Sequence, residues 1–166
     1  MHRLCLIPLL MVISACQMLQ TGGATRSDAS GLAGAWSEQA VIATGIHRVL
    51  IGEARILAQG DNRIFLLQIG QRWDGVARPI SVQSLWQGTR ALAFAPPARR
   101  GWFCVGGGDC LGHDLGAIIL DADAFDTART QGLHAQLIGT NVTIALFAPP
   151  HLFADAQANA ISAGLL

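Results

Sequence analysis

The sequence predicts a mainly β fold, an antiparallel β-sandwich or open barrel with one or two short helices in its C-terminal third. Three observations carry that expectation. About seven short apolar runs are separated by Gly, Asp, Asn and Pro turns. The stretch Gly101–Asp121, GWFCVGGGDCLGHDLGAIILD, sets a glycine-rich loop between two cysteines, with a strongly apolar strand directly after it. Helix-boundary chemistry is clearest late in the chain, at Asp121 to Gly132 and at Pro149-Pro150.

Eleven basic residues, all of them arginine, balance eleven acids in the 166 residues. There is no global field to attract nucleic acid, anionic lipid or an acidic substrate. Nucleic acid is therefore not an expected partner. Residues 36–166 are expected to form a single β-rich domain, long enough to bury a sizeable core.

At the N-terminus, His2 and Arg3 precede an apolar run from Leu4 to Ile13, which ends in Ser14 and Ala15 immediately before Cys16. A short positive start, an apolar middle and a small-residue end make a secretory signal of residues 1–15. The run is too short to anchor stably across a bilayer. The tetrapeptide Ile13-Ser14-Ala15-Cys16 resembles the lipobox of bacterial lipoproteins, in which the leader is cut before the cysteine and that residue is acylated. The resemblance covers residues 1–16 only. It implies lipidation at Cys16, with the membrane as a partner through the N-terminal lipid. Gln17, where inner-membrane lipoproteins usually carry Asp, implies carriage to the outer membrane, facing the periplasm. An ordinary secretory leader cut near Ala15 is the alternative. From Met18 to Ala35 the chain is small and polar with no sustained apolar period, which predicts that 16–35 is an acylated start and a flexible tether.

Within the domain, Ser37 is placed to cap a short helix through Val41 and Ile42, with Trp36 packing at its entrance. Residues 46–58 fit either a helical stripe or a strand interrupted at Gly52. The strand is preferred because Gly60-Asp61-Asn62 reads as a turn into a β-rich run. That run, Arg63 to Ile69, is apolar on both faces and so predicts a central, doubly covered strand. Gly70 reads as a bulge and Trp73-Asp74-Gly75 as a hairpin turn. Pro79 starts or edges a strand through Ile80, Val82 and Trp86. After the Gln87-Gly88 turn, Arg90 to Ala95 reads as one further strand, ended by Pro96-Pro97.

Gly116 to Leu120 reads as a buried strand. Asp121 or Asp123 then caps a helix through Phe125 and Ala128 that stops at Gly132. Leu133 to Ile138 and Val142 to Phe147 form a hairpin around Gly139-Thr140-Asn141, and Pro149-Pro150 opens a last helix packing through Leu152, Phe153 and Ala156.

Cys104 and Cys110 enclose Val105-Gly106-Gly107-Gly108-Asp109. In an exported protein, two cysteines at this spacing form a disulfide across a hairpin, and closing so small a ring contributes only about 2 to 2.5 kcal/mol on the chain-entropy model. Sharper readings compete with it. A phosphate-cradling loop lacks a lysine and carries Asp109 where it would repel phosphate. A metal set of Cys104, Cys110, His113 and Asp114 lacks the tight, recurring pairs of structural zinc. A redox pair favours two intervening residues and a helix start. Neither a metal nor another cofactor is expected.

Arg99 and Arg100 are the densest positive spot and, with Asp109, the candidate partner-binding residues; a solvated loop is the plainer reading. His113-Asp114 is the only adjacent His and acid pair, but neighbours on a strand point to opposite faces. The glutamates read as isolated, and no nucleophile motif appears. The sequence therefore points to a non-catalytic binding or structural module of the envelope, partnered by another envelope protein. The alternative is an envelope hydrolase acting through the acids and His113 near the stapled loop.

Two outcomes are expected. Radiolabelled palmitate enters the protein and is lost with Cys16→Ser; labelling unchanged by that substitution would refute lipidation at Cys16. Thiol alkylation of the exported protein adds nothing before reduction and two groups after it, as read by intact mass, whereas alkylation before reduction would exclude the Cys104–Cys110 bridge.

Overall fold

The computed structural model describes residues 22–27, 32–45, 47–73, 80–97, 102–105 and 109–166. The leader, Cys16, the Asp74-Gly75 turn, Pro79, Arg99, Arg100 and the loop glycines 106–108 lie outside the described residues.

Two antiparallel sheets enclose one apolar core, and two helices close an end of it. The larger sheet contains β1 (Gly23–Ser27), β2 (Leu32–Trp36), β3 (Ala40–Gly45), β4 (Arg48–Gln59) and β5 (Asn62–Trp73). The smaller begins with β6 (Val82–Gln87) and β7 (Arg90–Ala91), before the chain returns to the larger sheet as β8 (Ala93–Ala95), β9 (Trp102–Val105) and β10 (Asp109–Leu120). After α1 (Ala122–Gln131), β11 (Leu133–Gly139) and β12 (Val142–Ala148) complete the smaller sheet, and α2 (Pro150–Ser162) ends the fold. The larger sheet runs β1-β2-β4-β5-β10-β8, with β3 on β4 and β9 on β10; the smaller runs β12-β11-β6-β7. This is the expected mainly β, sandwich-like or open-barrel architecture.

Three strands of 12 residues, β4, β5 and β10, form the spine. Each outer strand of the trio serves two neighbours in turn. The first half of β4 pairs β3 and its second half pairs β2, while β10 pairs β9 and then β8. The changeover falls on a row of glycines. Gly52 sits opposite Ile69, Gly70 opposite both Ile51 and Asp114, and Gly116 opposite Ile69. Between Asp114 and Gly116 the register shifts, so Leu115 is the extra residue of a bulge. Bulges and strand glycines are where a sheet bends sharply. Two of these glycines are sterically required: a Cβ on Gly52 would stand 2.7 Å from Ile42 Cγ2, and Gly116 has φ +118 with Phe94 Cζ 2.6 Å from where its Cβ would lie.

The core collects the inward row of β4 (Leu50, Ala54, Ile56, Ala58) and of β5 (Leu67, Ile69) against Leu85, Leu137 and Leu146 of the smaller sheet. Asp121 caps α1 through a 2.7 Å bond from the Ala124 N–H, and Gly132 closes it with a 2.8 Å bond to the Ala128 carbonyl. The Ala124 amide, and then Arg90 at 3.1 Å, hold the Asp121 carboxyl below its ordinary pKa. Phe125 of α1 stands between Phe65, 5.0 Å away, and Phe153 of α2, 5.4 Å away and edge-on. Leu152, Phe153, Ala156 and Ala160 form the buried stripe of α2, and Asn159 Nδ2 donates to the Trp36 carbonyl at 2.8 Å.

Several expectations change. The tether is shorter than 16–35, because Gly23–Ser27 and Leu32–Trp36 are strands and Ala33 and Ala35 are buried. Small residues give no apolar period, yet here smallness lets β2 lie close beneath α2. Ser37 caps no helix. It is fully buried, accepts from the Ala54 N–H at 3.1 Å and donates to the Glu38 carbonyl, pinning the β2–β3 connection to β4. Val41 and Ile42 then continue as strand, as their β-branching favours. The bulge expected at Gly70 lies across from it on β10. The strand expected from Arg90 to Ala95 is divided between the sheets at Leu92, whose N–H bonds the Leu85 carbonyl at 2.9 Å. β5 is central, but its second face is covered in part: Leu66 is 6% exposed and Ile64 is 47% exposed.

Gly116→Ala is expected to destabilise the protein by more than about 2 kcal/mol in urea unfolding, since strained backbone and a close carbonyl act together. Gly60→Ala, in the β4–β5 turn where nothing lies within 4 Å of the added Cβ, should cost only about 1 kcal/mol. Equal losses at the two positions would contradict the bend assigned to Gly116.

Candidate functional site

On the face of the larger sheet turned away from the smaller one, Glu53 is 2% exposed. It stands two residues from Arg55 on β4, on the same face. Arg55 Nε lies 2.6 Å from Glu53 Oε1, and Gln39 Nε2 donates to Glu53 Oε2 at 3.1 Å. Gln68, directly across the ladder from Glu53, donates to Asp114 Oδ1, which also accepts from the Gly116 N–H at 2.9 Å. Asp114 thus supports the bulge. Each carboxylate has named donors, in a polar row that crosses three strands.

His113 is the register partner of Gln71 and belongs to the opposite face of β10 from Asp114. Gln71 is fully buried and its Oε1 accepts from the Ile80 N–H at 2.8 Å. The adjacent His and Asp therefore do not converge. Of the possible metal set, only His113 and Asp114 have described side chains, and they diverge. Among the described residues no group of three His, Cys, Asp or Glu converges on one point.

Cys104 lies on β9 and Cys110 on β10, in facing strands of a hairpin whose register sets Val105 opposite Asp109 and Phe103 opposite Gly112. That is the hairpin expected at this stretch. The side chains of Cys104, Cys110 and Asp109 lie outside the described residues, as do Arg99 and Arg100 entirely.

A concave site occurs at one edge of the sandwich. β3 is bonded to β4 on one side, and β12 is the edge strand of the smaller sheet; the two lie side by side without a ladder between them. The gap opens on a cavity of 530 Å³. Its apolar lining is Ala43, Leu50, Val142 and Ile144, while Thr44, Thr143, His47 and Arg48 stand around it. No acid is among the described lining residues. A second hollow of 310 Å³ beside α1 is lined by the Arg90–Asp121 pair, in which the helix cap already occupies its charge.

No protein family, curated protein or solved structure matches this chain.

Sequence reasoning left Glu53 isolated and missed the gap between β3 and β12. Glu53 and Arg55 at an i, i+2 spacing on a preferred strand was the available signal for the first. Nothing local signals the second, since its walls come from strands about 100 residues apart, as expected of non-local sheet contacts.

Arg55→Ala is expected to cost roughly 2–3 kcal/mol, because it leaves a buried carboxylate unpaired, whereas Glu53→Gln, which frees a half-exposed guanidinium to meet water, should cost about 1. Urea unfolding of both and of the double substitution checks this. The double variant should be more stable than Arg55→Ala alone, and simple additivity would show that the pair is not coupled.

Proposed function

We propose that the protein is an exported envelope lipoprotein whose half-open β domain is a non-catalytic binding module. In this reading residues 1–15 are a signal peptide, Cys16 carries the lipid, and the domain stands at the outer membrane facing the periplasm. A Cys104–Cys110 disulfide braces the β9–β10 hairpin. The single observation that carries the binding reading is the cavity between the edges of β3 and β12, a concave, mainly apolar hollow with a few polar groups at its mouth. The hairpin with its flanking Arg99, Arg100 and Asp109 is the proposed contact for an envelope protein partner. The hydrolase alternative gains no support, because Asp114 is engaged by Gln68 and the Gly116 amide while His113 belongs to the other face.

Cross-linking in intact cells, followed by affinity recovery of the lipoprotein, tests this reading. One partner in stoichiometric yield is expected, weakened when Arg99, Arg100 and Asp109 are changed together to Ala. Turnover of an envelope ester, peptide or glycan by the pure protein, abolished by His113→Ala, would overturn it.

A further inference from the structure

We infer that the gap between β3 and β12 binds a single-chain amphiphile with a carboxylate head, a long-chain fatty acid in its simplest form, with the chain in the core-facing hollow and the head at Arg48. This deepens the binding-module reading and rests on it.

The floor of the hollow is the core itself. Leu50, 1% exposed, is a core residue that also lines the cavity, and Val142 and Ile144 are half-buried side chains packed against that core. A ligand entering there exchanges water for aliphatic side chains along its length, the favourable transfer expected of an alkyl chain. A volume of 530 Å³ falls among those of small-molecule sites, roughly 300–1,000 Å³.

Among the described lining residues the charged side chain at the mouth is Arg48, and none is an acid. Arg48 is half-buried, and its side chain forms no ion pair or hydrogen bond among the described residues. Its stem crosses the β3–β4 turn, where a Cβ on Gly45 would meet Arg48 Cγ at 3.4 Å. A carboxylate at this point gains a charge-assisted pair in a partly desolvated position. Thr44 and Thr143 add hydroxyl donors beside it.

A peptide added as an extra strand fits less well. A strand bridging the gap needs two regular edges, and although β12 is regular, β3 is irregular between Val41 and Ala43, where Ile42 is the extra residue. The apolar floor likewise has little to offer a second peptide backbone.

The test uses the full chain carrying Cys16→Ser, so that no attached acyl group competes, titrated with cis-parinaric acid by fluorescence and with palmitate as competitor. Saturable binding of one equivalent, displaced by palmitate, is expected. Arg48→Ala should weaken palmitate about tenfold, the loss of one partly exposed charge pair, and leave hexadecanol within about twofold. Ala145→Trp, at an exposed position on the rim, should block both ligands while the melting temperature stays within a few degrees. Absence of saturable binding, binding indifferent to Ala145→Trp, or equal losses of acid and alcohol in Arg48→Ala would each overturn the inference. So would displacement of the probe by an extended valine-rich peptide but not by palmitate. If palmitate fails while a protein partner is still recovered from cells, the ligand assignment falls and the binding-module reading stands; hydrolytic turnover removes both.

Discussion

The structure depends on bending three long strands together. Strands of 12 residues extend about 40 Å, and a flat sheet that long cannot wrap one small core. Gly52, Gly70 and Gly116, level with one another on β4, β5 and β10, let all three turn at one line. Leu115 is the extra residue at that line and is buried in the core. On one side of the line the spine carries β3 and β9, and on the other it carries β1, β2 and β8. β3, on one side of the line, is the strand that meets β12 across the gap.

The same line explains the polar seam. Where the ladder is disturbed, a backbone N–H and a cross-strand amide would otherwise lose partners, and Asp114 accepts from both. Glu53, one residue past Gly52, is secured separately by Arg55 and Gln39. Buried polar groups at the core of a fold are costly when half satisfied. Here they lie beside the register shift between Asp114 and Gly116, and their donors tie them to the strands around it.

Much of the β content was legible because turn chemistry is local. Gly60-Asp61, Gln87-Gly88 and Thr140-Asn141 each mark a reversal, and Asp121, Gly132 and Pro150 mark helix ends, all from side-chain and backbone preferences that act within a few residues. What was misread depends on distant partners. Ser37 has the chemistry of a helix cap, but its hydroxyl is taken by the Ala54 amide 17 positions on. The alanines and glycines of β2 show no amphipathic period, because their role is close approach to β4 and α2 and not coverage. The Arg90–Ala95 segment has uniform strand character, and only the arrangement of the two sheets divides it at Leu92. The candidate site was illegible for the same reason: each wall is an ordinary strand, and the cavity exists only between them.

That division at Leu92 brings the two sheets together at one margin. The chain crosses from β7 to β8 at the edge of the sandwich away from β12, a one-residue step beside the longer β5–β6 and β10–α1–β11 connections, and the sheets lie unpaired at the opposite margin. The arrangement is that of a book, with a spine at Leu92 and free fore-edges at β3 and β12. Among the described residues no inter-strand ladder closes the fore-edge. Apolar packing holds the leaves together, and beyond β12 the chain is tied to the larger sheet by the Asn159 bond to the Trp36 carbonyl and the Arg63 bond to the Leu165 carbonyl.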